Sequence, residues 1–399
     1  MRVLFLTSQF PQPMRSGATI KTATLIEYLR QRHELHLACL RSDELDDRQR
    51  EWASQFARFD SVQLNRGRNP WNLARSYVAS LPLSIERNRT AKMTALVERI
   101  VADGAFDAVF VDGWLMAQYL PAGFDGLKLL HEHNAEYVIW DRQATLERNP
   151  LLSRLLTAEA ARVREYEAAI LSRFDVVCAV SVVDQLAIEA IGPPDLNVRI
   201  LPNVADPELL KRAALAFSDG PRVVLYLGTM SWQPNLEGID RFLREVWPLV
   251  RRQAGDARLV IAGQGAPGSL RRLAGRGKGI EFVPEFDDAD DLYRKARVFI
   301  EATRSGGGTK VKLLNALARG LPVVASLEAC EGLAVVPGEH ALVEGTSPAM
   351  AAGIIRLFDD EKLWGRLSDN GRKLVSDRYV PDVAYAVLDQ VLSDAPASV

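Results

Sequence analysis

Residues 303–320, TRSGGGTKVKLLNALARG, place three consecutive glycines, Gly306, Gly307 and Gly308, ahead of a run with helical spacing. Glycine costs backbone entropy, so a triplet implies a backbone that a bulky group must approach. A helix starting there leaves its first N–H groups unpaired and turns the positive end of its dipole outward. Those are the makings of a phosphate site. Gly308, Lys312 and Asn315 follow at i, i+4 and i+7, on one helix face. Lys312 can neutralise phosphate charge there, and Asn315 can hydrogen-bond a hydroxyl. Thr309 offers a hydroxyl as well as its N–H, whereas Lys310 is directed to another face. The spacing is not that of a P-loop. Gly320 reads as the C-terminal cap.

Other residues carry weaker signals. His131 and His133 alternate at a strand end and so share a face. From the residues, a satisfied structural pair and an active-site role stand level. A zinc site would need further ligands, and none has recognisable spacing. The stretch AGQGAPG sets Gly263, Gly265 and Gly268 in G-x-G-x-x-G order, the outline of a dinucleotide fingerprint. It follows the second strand of its series rather than the first, and Pro267 interrupts it, so a structural turn is the expectation. The triplet Asp288-Ala289-Asp290 opens a helix, where capping and dipole complementarity explain it better than metal binding. Residues 65–92 interleave Arg66, Arg68, Arg75, Arg87, Arg89 and Lys92 with Trp71, Tyr77 and Leu81, a composition suited to lipid headgroups or to a solvated face.

The elements that position these residues read as alternating strands and helices. Strands are expected at 2–7, 34–40, 108–112, 127–131 and 176–180, with helices at 19–30, 91–102 and 151–171 between them. The pattern restarts with strands at 221–228, 257–263, 279–283, 297–302 and 321–326, and a helix at 236–252. Two doubly wound parallel sheets follow, with ligands expected at the carboxyl ends of the strands. The length of 399 residues suits two domains, divided within 205–220. Charged residues make up 25% and the net charge is −2, so nothing global favours nucleic acid. The three scattered cysteines fit a reducing cytoplasm. The first residues read as a buried strand rather than a signal peptide, and no apolar run reaches the roughly 20 residues of a membrane span.

The segments YLGTMSWQPNLEGIDRFLREVWP, VIAGQGAP, GGGTKVKLLNALARGLPVVASLEACEGL and ILPNVAD resemble the retaining GT-B glycosyltransferases of the family-4-like group. LLHEHNAEYVIWDR, residues 129–142, resembles the N-terminal domain of members acting on bacterial polysaccharides. The resemblance implies two Rossmann-like domains facing a central cleft, residues 1–204 for the acceptor and 205–380 for the nucleotide sugar. A C-terminal helix within 381–399 would cross back to the first domain. It implies transfer of a sugar from a UDP- or GDP-sugar, with retention and without metal or cofactor, to a saccharide, lipid-linked or small-molecule acceptor. Gly228, Thr229 and Gly306 to Thr309 would line the donor. His133 would be the active-site histidine, with Asn134 and Glu136 beside it, and Gly17 would open the first domain's loop. Gly307 and Asn315 stand where many members carry glutamates, and residues 229–233 lack the usual cations. Lys312 and the helix N-terminus would then carry the phosphate charge, with Glu331 as a replacement ribose contact. Two other readings are an NAD-dependent enzyme using the 263–268 glycines and a non-catalytic nucleotide-sugar binder.

Overall fold

The computed structural model describes all residues except 15–16, 66, 68–69, 148, 219, 287, 305–308 and 395–399. The chain divides into two units, Met1–Pro202 with Tyr385–Val399, and Asn203–Ala384.

The first unit is built on seven parallel strands: β1 (Arg2–Thr7), β2 (Glu34–Arg41), β3 (Arg58–Gln63), β4 (Ala108–Asp112), β5 (Leu127–Glu132), β6 (Val176–Ala179) and β7 (Val198–Ile200). Their order is β3-β2-β1-β4-β5-β6-β7. All the pairs are parallel, so helices must cover both faces and the central strands must be largely apolar. The fully buried AVFVD of β4 shows this. The order reverses between β1 and β4, the switch point where ligands gather in such sheets. The helices of this unit include α1 (Gly17–Arg30), α2 (Pro70–Val78), α3 (Glu136–Leu146), α4 (Pro150–Leu171) and, from the chain's end, a helix at Ala386–Ser393. That last helix is fixed to α1, where the Tyr28 hydroxyl donates to Asp389 at 2.8 Å and the Tyr28 and Tyr385 rings meet edge to face.

The second unit repeats the plan with β8 (Val223–Leu227), β9 (Arg258–Ala262), β10 (Ile280–Val283), β11 (Val298–Glu301), β12 (Val323–Ala325) and β13 (Leu342–Val343). The order β10-β9-β8-β11-β12-β13 puts its switch point between β8 and β11. The expected helix at 236–252 is wound in three pieces, α5 (Gln233–Arg241), a wider turn at Phe242–Val246, and Trp247–Gln253. The helix after the glycine triplet, α6 (Val311–Arg319), starts two residues later than expected and ends at Gly320 in the left-handed conformation, φ 79°. Leu313, Leu314 and Leu317 are at most 1% exposed. Each stabilises the unit by about 1.5–3 kcal/mol and clamps the helix to the sheet. The expected C-terminal helix is two, Pro381–Ala384 and Ala386–Ser393.

Candidate active site

At the first unit's switch point, four side chains converge on one carboxylate. Asp112 ends β4 and is 1% exposed. The hydroxyls of Thr7 on β1 and Thr22 on α1 donate to its Oδ2 at 3.2 and 2.6 Å. Its Oδ1 lies 3.0 Å from His131 Nδ1 and 2.7 Å from His133 Nε2. The parallel register sets Asp112 beside His131, and two residues further the chain leaves β5 and brings His133 back to the same oxygen. Burial alone would raise the Asp112 carboxyl; His133 and the hydrogen bonds from both rings overcome it and hold it well below the usual range. His131 drops to about 3 through burial and then through Lys21. His133 is lowered by the same two causes in the same order. Lys21, one residue before Thr22, is itself lowered to about 8 by burial, against the attraction of Asp112 and three neighbouring carboxylates.

Carboxyls ring this hub. Glu132 is fully buried, and burial, Glu167 and Glu136 push it well above its ordinary value. Glu136 rises to about 7, mainly by burial, although the Asn134 amide donates to it at 3.3 Å. Glu167 on α4 rises to about 8 by burial, yet it accepts the N–H groups of Glu136 and Tyr137, each at 2.9 Å. It therefore serves as the cap for the start of α3, which lacks one of its own. The result is a quarter-exposed imidazole pushed toward its neutral form, and, three residues on, a carboxyl raised to about 7. Such a surface suits hydroxyl groups, which can both give and take hydrogen bonds. The ligating atoms of Asp112, His131 and His133 also lie within 4.8 Å of one another, so a third donor exists that sequence spacing hid. The charge of Lys21 opposes a cation among them.

The second unit's switch point carries a different network. Lys312, in the first turn of α6, places Nζ 2.7 Å from Glu301 Oε2 and 2.7 Å from Asn235 Oδ1, above the Tyr226 ring. Glu301 ends β11 with no exposure and accepts Thr303 N–H at 3.2 Å. Lys312 thus reaches the switch point with its charge already matched. Lys310 departs from expectation. It does not turn away; it is 6% exposed, with its ammonium 5.6 Å from the Trp232 ring. Trp232 lies in the loop after β8, so the residue that precedes α6 brings a cation to the loop that has none of its own. Thr309 is also 6% exposed, and its hydroxyl is buried without a partner among the described residues. Asn315 Oδ1 accepts the Asp206 N–H at 2.9 Å, a bond that ties α6 to the start of the unit. Gly306, Gly307 and Gly308 lie outside the described residues.

The Gly228–Thr229 loop is built on close backbone approach. A Cβ on Gly263 would stand 2.1 Å from the Gly228 carbonyl oxygen, and one on Gly265 2.9 Å from Ser231 N. The 263–268 glycines therefore pack the turn after β9 against the loop after β8. The Asp288–Asp290 triplet is also structural: Asp288 Oδ1 accepts the N–H of Asp290, the first residue of the helix at Asp290–Arg294, at 2.8 Å, and Asp290 and Asp291 put acid in its first turn. Asp290 also pairs with Arg319 and with Arg212, the latter at 3.0 Å, and Asp288 pairs with Arg212 at 3.0 Å.

Residues 221–360, which hold this second site, match the family model described as glycosyl transferases group 1. A protein of Klebsiella pneumoniae, described as an uncharacterized 44.6 kDa protein in the cps region, is 24% identical over 163 residues, 39% of this chain. The match spans about two fifths of that relative's length, 42%. Sucrose-phosphate synthase from Thermosynechococcus elongatus superposes with TM-score 0.70 at 18% identity over 98% of each chain. HepE from Anabaena, solved with UDP-glucose, superposes with TM-score 0.66 at 16% identity over 98% of this chain and 99% of its own. The fold is GT-B.

Within this glycosyltransferase fold, Gly17 is the first residue of α1 and is exposed, on the helix that carries Lys21 and Thr22. Glu331 lies half-buried between β12 and β13. The sequence singled out His133, Asn134 and Glu136 but not Lys21, Asp112, Glu132 and Glu167, which the fold gathers around them. For Asp112 and Glu132 the available signal was an acidic residue closing a buried strand, as in AVFVD and LKLLHE. No helix among the described residues is long and apolar enough to cross a membrane.

Proposed function

We propose that the protein is a retaining, metal-independent hexosyltransferase that moves a sugar from a UDP- or GDP-sugar to a saccharide, lipid-linked or small-molecule acceptor in bacterial polysaccharide synthesis. The observation that carries this reading is the family match over 221–360. Within it, Thr309, Lys310 and the start of α6 follow β11 at the switch point. The UDP-glucose held by HepE and the cps-region relative support the donor class and the setting. Bond cleavage at the sugar carbon builds charge on the departing diphosphate. N–H groups at the start of α6, the Thr309 hydroxyl and the Lys310 cation would stabilise that charge. The acceptor would attack on the face the diphosphate leaves and give it the proton, so no protein nucleophile is needed. His133, Asn134 and Glu136 would hold sugar hydroxyls. Nucleoside diphosphate release, measured for UDP- and GDP-sugars with a panel of acceptors, tests the reading. Release should depend on acceptor, persist with chelator, and give a product of unchanged anomeric configuration. Inverted product, or activity restored only by manganese, would contradict it.

We also propose a cytoplasmic location with peripheral contact to anionic membrane through residues 65–92. All of α2 from Trp71 to Val78 is at least partly exposed except Ser76, with Trp71 74%, Tyr77 50% and Val78 90% exposed. Arg75 and Arg89 flank this surface, anchored through the buried Glu86. Apolar rings beside cations suit a headgroup layer.

A further inference from the structure

We propose that Asp112 is a positioning residue that fixes His133 as its Nε2–H tautomer, so that Nδ1 faces the substrate as a hydrogen-bond acceptor for a sugar hydroxyl. The role of the hydroxyl rests on the transferase reading above; the tautomer does not. An ionised carboxylate only accepts hydrogen bonds. Both Oδ2 contacts of Asp112 are hydroxyl donors, Thr7 and Thr22. Both Oδ1 contacts are ring nitrogens, at 3.0 and 2.7 Å, and each must therefore carry its proton. For His131 this fixes Nδ1–H, and its Nε2 is buried without a partner, as an unprotonated nitrogen can be. For His133 it fixes Nε2–H. The lone pair then sits on Nδ1, the other nitrogen of a ring that is 25% exposed.

The surroundings hold this arrangement. Gly113, at φ +93°, follows Asp112, and a Cβ there would stand 3.8 Å from His133 Cε1. Backbone thus lines the Cε1–Nε2 edge, on the side where Nε2 meets Asp112. The His131 ring meets the His133 ring at 63°, with centroids 5.0 Å apart. Burial and Lys21 both oppose a second proton on His133. Its site therefore takes a hydroxyl hydrogen rather than offering a proton to a phosphate or carbonyl oxygen.

Long-range proton–nitrogen spectra of histidine-labelled protein at pH 7.5 test this, with His133 assigned through His133→Gln. The wild type should show Nε2 protonated and Nδ1 bare. A proton on Nδ1, or on both nitrogens, would overturn the proposal. Asp112→Asn should lose the single tautomer and lower kcat by at least about tenfold, the size of one lost hydrogen bond, with KM for the donor little changed. Asp112→Glu should recover part of each. An Asp112→Asn protein that is folded, keeps Nε2–H and turns over normally would also overturn it. The wild-type spectrum needs neither variant nor substrate. Should no nucleotide sugar support turnover, the transferase reading would fail while the spectrum still decided the role of Asp112.

Discussion

Lys312 lies 2.7 Å from a Glu301 carboxylate with no solvent exposure. Removing one partner of such a buried pair strands the other and costs about 3–5 kcal/mol. Lys312→Ala should therefore lower the melting temperature as well as transfer, contrary to the simple expectation of a phosphate-binding lysine. The double variant Lys312→Met/Glu301→Gln should recover much of the stability. Thermal melts of the three proteins check this, and an undiminished Lys312→Ala melt would show the pair to be dispensable. The lysine was legible from helix spacing. Its counter-ion was not, because strand and helix meet only in the fold. The same holds for His133 and Asp112, which are 21 residues apart and joined by register. Glu167 gives a pH test. Its value of about 8 in the folded protein lies above the ordinary 4.5, so the unfolded chain releases that proton first. Stability from this group is full below about pH 4.5, falls as pH rises and is lost above about 8. Glu167→Gln removes that slope. The melting temperature of the variant should gain on the wild type between pH 5 and 8; parallel curves would contradict the shift.

At the scale of elements, the central strands of both sheets were legible because parallel strands buried on both faces are continuous apolar runs. The strands that sequence did not give are edge or near-edge ones. β3 has a mixed pattern, and β7 and β13 have three and two residues. Pairing with a neighbour defines them, not their own composition. The 263–268 glycines show how close a decoy can come. Their order suited a dinucleotide, yet Gly263 is there because the Gly228 carbonyl leaves no room for a side chain. Gly263→Ala combines that 2.1 Å approach with a φ of +135° that L residues avoid. It should destabilise the second unit by more than about 3 kcal/mol in denaturant unfolding. A cost below about 1 kcal/mol would mean that the two loops are not packed as described.

For the whole molecule, a net charge of −2 conceals the basic segment 65–92. Full-length protein should sediment with vesicles rich in phosphatidylglycerol and stay in solution with pure phosphatidylcholine, and Trp71→Ala with Arg75→Glu should weaken the association at least about tenfold. Equal partition to both vesicle types would remove the charged-surface account. Two successive Rossmann-like series were legible at this scale, because each restarts with its own apolar first strand and carries its own switch point. The central claim, that this chain takes a nucleotide sugar as donor, is tested most directly by titration calorimetry with UDP- and GDP-sugars, free UDP and GDP, and NAD. One nucleotide sugar should bind at a single site and be displaced by its own nucleoside diphosphate, with no heat from NAD. Saturable NAD binding with no response to any nucleotide sugar would contradict the account.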